Sequence, residues 1–333
     1  MSTLAAVAAH AGVGIGTVSR VLNDSPNVSP EMRDRVRRAM AEVGYTADRR
    51  KRVEQRRRPG YVGVVVTYFD EPSAFMRLRG IVASLQPHEY EVVLYNVASV
   101  SQAKERLMEV PQHNTLDGLI VVSLPLSARD GERLAGAPFP TVLLDTTAAG
   151  LPSVNIDDRA GGALATQHLV DLGHRRIAFV GEPPNNAFGF VASVRREEGY
   201  HRTLRQAGIP ADPHLVRYGA HLRSAAKQMT IDLLSLPEPP TAVVDTSDVQ
   251  AVGVMEAAAA HGLKVPDDLS IIGYDDIELA SLMGLTTVRQ PLERSGNRAA
   301  DLVYEAMSSH SRPQLAEQLE IELVVRSTTG PRR

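Results

Sequence analysis

A short stretch near the N-terminus carries an arginine and two hydroxyl side chains beside a continuous apolar stripe. Apolar residues recur three and four positions apart between Leu4 and Ala11, and again from Val18 to Leu22, which predicts two short amphipathic helices. Gly12 suits the left-handed position that ends the first of them. Residues kept off the apolar face of the second helix could contact base edges in the major groove of a duplex. They are Ile15, Gly16, Thr17, Ser19 and Arg20.

A third helix is predicted to follow the first two. Ser29 can cap it and Pro30 suits its first turn, while Gly44 can end it. Its apolar face is formed by Met32, Val36, Met40 and Val43. Two helices joined by a tight turn and packed on a third are typical of a helix-turn-helix headpiece of roughly fifty residues.

Charge is unevenly distributed along the 333 residues, although the net charge is only −3. Residues 1–60 hold twelve Lys and Arg against six Asp and Glu, and seven of the twelve lie within Arg49–Arg58. The remainder of the chain is acidic. A small basic module on an acidic body fits a polyanionic partner for the module alone.

From Tyr61 onward the pattern changes to short apolar runs separated by helical stretches. The runs YVGVVVT, EVVLYN, DGLIVVS and TVLLD are followed by a second series, RIAFVG, TAVVD and LSIIGYD. Near-continuous apolar strands that alternate with helices predict parallel sheets covered on both faces. The body is therefore expected to contain two doubly wound α/β subdomains.

Several function classes lack their sequence signals. Without cysteine the chain has no disulfide and no thiolate metal site, and it shows no secretory signal and no apolar stretch long enough to span a bilayer. We therefore expect a cytoplasmic protein that does not engage a membrane. The glycine run Gly12–Gly16 follows a helix rather than a strand, so it is not a dinucleotide-binding motif. His113, His168 and His174 lack metal-ligand spacing, and no cofactor is predicted.

The run TLAAVAAHAGVGIGTVSRVLN followed by VSPEMRDRVRRAMAEVGY closely resembles the headpiece of the lactose-repressor (LacI) family. The resemblance continues through LVDLGHRRIAFVG and SIIGYDDIELA and covers nearly the whole chain. It implies a ligand-responsive transcriptional regulator, not an enzyme, with a periplasmic-binding-protein-like body. The implied partners are a second copy in a homodimer, near-palindromic double-stranded operator DNA and a small-molecule effector, expected to be a carbohydrate.

Matched position by position, the resemblance assigns DNA-contacting residues. Ile15, Gly16 and Arg20 fall where the family contacts bases, and Arg20 can pair bidentately with a guanine. Gly16 has no side chain, so one base fewer is contacted there directly. Positions that contact phosphates in the family are occupied by Thr3, Thr17, Ser19, Asn23, Ser29 and Tyr45. For Thr3, Asn23 and Ser29, helix capping is the alternative, and the two roles can coexist.

The linker departs from the family pattern. In the family this segment forms a hinge helix on operator DNA and a leucine wedges into the minor groove, whereas Glu54 stands at that position here. Its basic residues could grip the DNA backbone instead. The expected organisation is a headpiece, a basic linker and two effector subdomains, covering respectively 1–46, 47–60, 61–158 plus 290–318, and 159–289 plus 319–329.

The resemblance also places an effector site at the carboxyl ends of the strands. Its expected residues are Thr67, Phe75, Asp145, Arg196, His221, Ser247, Asp275 and Gln290. Carboxylates accept hydrogen bonds from sugar hydroxyls, and a guanidinium donates to neighbouring oxygens. The alternatives are that Asp276 rather than Asp275 caps the next helix, and that Arg196 is a surface charge. Ser247 stands where many sugar-responsive members have Asn.

Four functions are compatible with parts of this pattern. A repressor released from its operator by a sugar or sugar-derived effector accounts for both halves of the chain. A purine-like co-repressor would need aromatic stacking, for which Phe75, Phe188 and Phe190 are candidates. A nucleotide-using α/β enzyme lacks a phosphate loop and a nucleophile with its base. The basic headpiece and the lack of a secretory signal argue against a periplasmic sugar-binding protein.

Overall fold

The computed structural model describes residues 4–22, 28–43, 60–112, 115–309 and 316–332. The chain divides into two compact units, Met1–Pro59 and Gly60–Arg333. Three residues predicted to contact phosphates, Thr3, Asn23 and Tyr45, lie outside the described residues, as does the linker up to Pro59.

The described residues of the N-terminal unit form three helices around one small core. They are α1 (Leu4–Ala11), α2 (Ile15–Leu22) and α3 (Pro30–Glu42). The core is formed by Val7, Ala8, Ala11, Val18, Val21, Val28, Val36 and Ala39. Gly12 has a φ of +63°, and the Ser29 hydroxyl caps α3 by accepting a hydrogen bond from the Met32 amide at 3.3 Å. The predicted helix-turn-helix headpiece is thus confirmed.

The first sheet of the larger unit has the strand order β11-β5-β4-β3-β1-β2, and every pairing is parallel. Its strands are β1 (Tyr61–Thr67), β2 (Glu91–Val97), β3 (Gly118–Val122), β4 (Thr141–Leu144), β5 (Ser153–Asn155) and β11 (Ala316–Gln318). The helices that alternate with its strands, or return to it, are α4 (Pro72–Leu85), α5 (Val100–Glu109), α6 (Ala128–Ala135) and α12 (Leu292–Ser309).

The second sheet has the order β12-β10-β9-β8-β6-β7, with β12 the antiparallel edge strand. Its strands are β6 (Ile177–Gly181), β7 (Val216–Tyr218), β8 (Ala242–Asp245), β9 (Ser270–Asp275), β10 (Thr286–Arg289) and β12 (Glu322–Val324). Its helices are α7 (Asp158–Asp171), α8 (Ala192–Gln206), α9 (Arg223–Leu234), α10 (Asp248–Ala260) and the short α11 (Glu278–Leu282). The predicted fold class, two doubly wound sheets behind a helical headpiece, is confirmed.

The helices that carry two buried arginines, α4 and α8, each pack backbone against backbone with a neighbouring helix through glycine. A β-carbon on Gly80 would lie 2.1 Å from the Glu293 carbonyl oxygen, so α4 and α12 can approach this closely only without a side chain there. A β-carbon on Gly162 would lie 2.0 Å from the Arg196 carbonyl oxygen, which brings α7 equally close to α8. These contacts place Arg77 of α4 and Arg196 of α8 at the polar groups described below.

No single helix among the described residues is long and apolar enough to cross a membrane. Only α1 and α2 taken together reach that length and apolarity, and they are bent by 105° between them.

A buried carboxyl group closes β8. Asp245 is 1% exposed, and neither of its carboxyl oxygens has a hydrogen-bond partner within the described parts of the chain. Burial, followed by the charge of Asp248, raises the pKa of Asp245 well above its ordinary value of 3.8. Because the folded pKa exceeds the unfolded one, folding takes up protons at pH values between the two.

We therefore expect Asp245→Asn to raise the free energy of unfolding at pH 8, because the neutral amide needs neither to take up a proton nor to be buried as an anion. The difference should shrink towards pH 4, because the contribution of a raised pKa is present at low pH and is lost as the pH rises through the folded pKa. Urea unfolding at several pH values measures this, with the exposed Asp232→Asn as control. An equal difference at all pH values would contradict it.

A DNA-contact helix and an effector cleft

The exposed face of α2 carries the residues predicted to contact bases. Ile15 is 54% exposed, Gly16 and Arg20 are exposed, and Thr17 and Ser19 are half-buried. Val18 and Val21 occupy the opposite, buried face. The exposed Ile15 leaves apolar surface in contact with water beside the charge of Arg20. A partner surface that covers this face would remove that apolar surface from water.

The cleft of the larger unit lies at the carboxyl ends of both sets of parallel strands. The strand order reverses between β1 and β3 in the first sheet and between β6 and β8 in the second. Ligands of doubly wound sheets bind at such reversals. Thr67 ends β1 and is buried, Asp145 follows β4, and Asp275 ends β9.

A polar chain joins the two sheets across this cleft. Asp145 accepts a hydrogen bond from the Ser123 hydroxyl at 2.8 Å and pairs with Arg77 Nη2 at 3.2 Å. The same Nη2 donates to Gln290 Oε1 at 3.1 Å, and Gln290 Nε2 donates to Asp275. The predicted residues Asp145, Gln290 and Asp275 are therefore brought together. Sequence analysis did not single out Arg77 or Ser123, and the signal for Arg77 was a cation within the apolar run AFMRLRGIV.

Arg196 lies in the cleft wall, buried against protein groups. Its Nε donates to Asp158 Oδ1 at 2.9 Å, its Nη1 donates to the Thr246 carbonyl at 2.5 Å, and its guanidinium carbon lies 3.6 Å above the Tyr274 ring. Burial lowers the pKa of Arg196, but Asp158 in particular outweighs that effect and raises it. The surface-charge alternative for Arg196 is wrong, since the side chain is 9% exposed.

His221 is surrounded by carboxylates from both subdomains. Its Nδ1 lies 3.7 Å from Glu182. Burial lowers the pKa of His221, but Glu182, Glu71 and Asp275 raise it above its ordinary value. Burial raises the pKa of Glu71, which begins α4 on the opposite side of the cleft.

Ser247, Phe75 and Asp276 occupy different environments. The Ser247 hydroxyl caps α10 by accepting a hydrogen bond from the Gln250 amide, and the residue is 1% exposed. Phe75, on the first turn of α4, is 57% exposed. Asp276 pairs with Arg289 and Arg326, and the Ile277 amide at the start of α11 donates to Asp248 instead. The alternative that Asp276 caps this helix is therefore wrong.

Three aromatic rings meet across the cleft. Tyr68, directly after β1, lies 5.6 Å from Phe188 and 6.3 Å from Phe190, measured between ring centroids. The two phenylalanines follow β6 and stack on each other at 5.1 Å. Sequence analysis named both phenylalanines as candidates for stacking but did not identify Tyr68.

A narrow depression opens beside the polar chain. It is lined by Arg77, Leu144, Asp145, Val154, Asn155, Ile156, Gln290, Pro291 and Ser295. Within the described residues, no group of three or more histidine or acidic side chains could hold a metal ion. The cleft thus presents carboxylates, amides and guanidinium groups, the set that hydrogen-bonds a polyhydroxylated ligand.

Comparison with known proteins agrees with this geometry. The family "Bacterial regulatory proteins, lacI family" matches residues 3–48, and the "Periplasmic binding protein-like domain" matches residues 166–329. The HTH-type transcriptional repressor CytR of Escherichia coli strain K12 is 32% identical over 332 residues, which cover 98% of this chain and 96% of CytR.

Two solved structures share the whole architecture. The lac repressor dimer bound to operator and the anti-inducer ONPF superposes with a TM-score of 0.83 at 28% identity, over 99% of both chains. The complex of the transcriptional regulator CelR with cellobiose has a TM-score of 0.71 at 32% identity, over 98% of this chain and all of the other.

The fold and the matches define the class: a DNA-binding transcriptional regulator, not an enzyme, with a helix-turn-helix headpiece and an effector-binding-type body. The chain belongs to the LacI family of bacterial regulatory proteins.

We expect Arg196→Ala to lower the free energy of unfolding of the larger unit by about 3–5 kcal/mol, because it leaves Asp158 buried without its cation. Adding Asp158→Asn should recover part of the loss. Urea unfolding of the full chain measures both, and the neighbouring, half-buried Arg195→Ala is the control, with an expected change within about 1 kcal/mol. A stable Arg196→Ala protein would instead favour a free, ligand-directed guanidinium.

Proposed function

We propose that this protein is a homodimeric repressor whose operator binding is relieved by a carbohydrate effector held in the cleft. The observation that carries the proposal is the polar chain from Asp145 through Arg77 and Gln290 to Asp275. It joins groups that lie at the carboxyl ends of strands in both sheets. A ligand that exchanges hydrogen bonds with these groups therefore changes how the two subdomains are held. The relatives support this: CelR is seen with cellobiose and the lac repressor with operator DNA.

The proposed DNA contacts divide into two kinds. Ile15, Gly16 and Arg20 face base edges, which determines sequence preference. Thr3, Thr17, Ser19, Asn23, Ser29 and Tyr45 are proposed to contact phosphates, which sets the register of the headpiece on the duplex. The Ser29 hydroxyl already caps α3, and a helix N-terminus of this kind can bind a phosphate as well.

The assembly and organisation are proposed as follows. A two-fold dimer, as in the lac repressor structure, matches a near-palindromic operator in the cytoplasm. The effector subdomains are assigned to 61–158 plus 290–318 and to 159–289 plus 319–329. Effector binding changes their mutual orientation and thereby the spacing of the two headpieces. Coupling of this kind is typically about 1–3 kcal/mol.

A purine-like co-repressor that strengthens DNA binding is the second candidate. The cluster of Tyr68, Phe188 and Phe190 favours it, because flat bases stack on aromatic rings. The two candidates differ in the sign of the ligand's effect on operator affinity, which titration with saccharides and with purines determines.

We expect Arg20→Ala to weaken operator binding by about 1–3 kcal/mol per half-site, because a bidentate contact to guanine is lost. Binding to a scrambled duplex should change far less. Fluorescence anisotropy at one fixed salt concentration, with an operator located by footprinting, measures both. The exposed Arg38→Ala on α3 is the control. An unaltered ratio of operator to scrambled affinity would rule out Arg20 as a base contact.

We expect Asp275→Asn to abolish the effector response while operator affinity is retained, because a carboxylate that accepts hydroxyl hydrogen bonds contributes about 1.5–3 kcal/mol. Operator binding titrated with a saccharide panel measures the response, and thermal unfolding of the variant checks its fold. Full relief of operator binding in the variant would remove Asp275 from the proposed site.

A further inference from the structure

The edge of the cleft combines aromatic rings with an excess of carboxylates. We call this region the interlobe mouth: the turn 68–71 of the first subdomain, and the loop 182–190 with His221 of the second. Three of the six phenylalanines in the chain, Phe69, Phe188 and Phe190, occur in its two segments together with Tyr68. Tyr68 is 45% exposed even though Phe188 and Phe190 contact it, so part of the residue remains accessible to a ligand.

The ring-bearing loop is held by its own hydrogen bonds. Asn186 donates to the Phe190 carbonyl and accepts from the Phe190 amide, both at 2.8 Å. The Glu182 amide donates to the Ser193 hydroxyl at 2.9 Å. Phe188 also packs against the first-sheet core that includes Val97 and Leu124. Loop and rings therefore form an ordered wall, which is the preorganisation a stacking site needs.

The charges at the mouth are unbalanced. Glu71, Glu182 and Asp275 act on one imidazole, that of His221, and Asp70 lies beside Glu71. The guanidinium groups deeper in the cleft are already used, Arg77 by Asp145 and Arg196 by Asp158. A phosphate or carboxylate on the ligand would meet this acidic edge without a free cation to pair with.

One buried donor points to a hydroxylated ligand. Arg77 Nε has no hydrogen-bond partner among the described residues, and its side chain is 7% exposed. Arg77 lines the narrow depression beside Asp145 and Gln290. A buried donor of this kind is costly unless an acceptor reaches it, and a sugar oxygen supplies one without bringing charge.

We propose that the interlobe mouth selects an uncharged saccharide that lays an apolar ring face on Tyr68, Phe188 and Phe190, and that it excludes phosphorylated sugars and sugar acids. Aromatic rings bind the C–H face of a pyranose, while the carboxylates accept its hydroxyl hydrogens. This inference deepens the proposed function, on which it rests, by naming the class of effector.

Calorimetric titration of the full-length protein with matched pairs tests the charge selection. The pairs are glucose and glucose 6-phosphate, ribose and ribose 5-phosphate, and cellobiose and cellobiose 6-phosphate, with adenosine added as a nucleoside. We expect binding by a neutral saccharide, with its phosphorylated counterpart weaker by roughly tenfold or more. Preferred binding of a phosphorylated sugar, preferred binding of adenosine, or binding by none of the neutral saccharides would overturn the assignment.

Charge variants test whether the carboxylates of the interlobe mouth cause the discrimination against phosphorylated sugars. The double variant Glu71→Gln with Glu182→Gln should reduce the ratio of binding affinities between the neutral and the phosphorylated sugar of a pair by about tenfold. The matched control, Glu109→Gln with Glu238→Gln, removes the same charge from exposed positions that contact no residue of the mouth, and it should leave the affinity difference unchanged. An equal effect of both double variants would assign the selection to overall charge and contradict the proposal.

Ring variants test the stacking wall. The double variant Phe188→Ala with Phe190→Ala should lower the binding affinity for the neutral saccharide by about tenfold. Phe188→Leu with Phe190→Leu keeps the apolar bulk without the flat faces, so it should weaken binding nearly as much while preserving the loop. Val191→Ala, next to the loop, is the control. Unchanged affinity in the leucine variant would overturn the stacking role.

A single tryptophan gives a direct readout of the rings. The chain contains no tryptophan, so Tyr68→Trp introduces the only indole. Its acrylamide quenching should fall when the neutral saccharide binds, and should rise without ligand when Phe188 and Phe190 are replaced by alanine. Quenching that responds to neither change would show that the rings do not form the wall.

Operator titration distinguishes a wrong effector class from a failure of the proposed regulator function. If a phosphorylated sugar or a nucleoside alters operator affinity, the regulator function stands and only the effector class is wrong. If the chain binds no operator, the proposed function itself fails.

Discussion

The architecture of the cleft depends on one buried cation. Arg77 lies in the middle of α4, almost fully removed from water, and its charge can be stable there only with a carboxylate and further acceptors around it. Asp145 supplies the carboxylate and Gln290 supplies an acceptor oxygen. The amide nitrogen of Gln290 in turn donates a hydrogen bond to Asp275 in the other sheet. The requirement to pair one charge thus connects the two subdomains through side chains that a hydroxylated ligand could also bind.

This arrangement suits a switch. Most of the groups expected to hold an effector already hydrogen-bond each other, so a ligand exchanges protein hydrogen bonds for its own and adds a new one only at Arg77 Nε. Such an exchange is close to balanced in free energy, because each hydrogen bond contributes only about 1 kcal/mol net. A nearly balanced equilibrium is the kind that a ligand with modest differential affinity can shift.

The second buried cation has a different role. Arg196 is held by Asp158 at the start of α7, by the Thr246 carbonyl and by the Tyr274 ring, all on elements that belong to the second sheet. The close approach of α7 and α8 at Gly162 sets that geometry. These contacts join α7, α8, β9 and the residue after β8 around Arg196, independently of the contacts of Arg77 and Gln290.

The sequence by itself determined the three-helix headpiece, the alternation of apolar strands with helices, and the polar residues at strand ends such as Asp145 and Asp275. These features follow from local periodicity, capping and turn chemistry, which are written in consecutive residues. It also placed Ile15 and Arg20 on the exposed face of α2, because Val18 and Val21 define the opposite face. The short strands β5, β10 and β11, each of three or four residues, gave too little pattern to be recognised.

Only the tertiary structure decided which side chains meet. Arg77 and Gln290 are 213 positions apart and come together because α4 and α12 pack backbone to backbone at Gly80. Tyr68 finds Phe188 and Phe190 from the other subdomain, and Ser247 is committed to capping α10. Periodicity tells a residue which face of its own element it occupies, whereas its partner depends on how distant elements pack, and no local pattern records that.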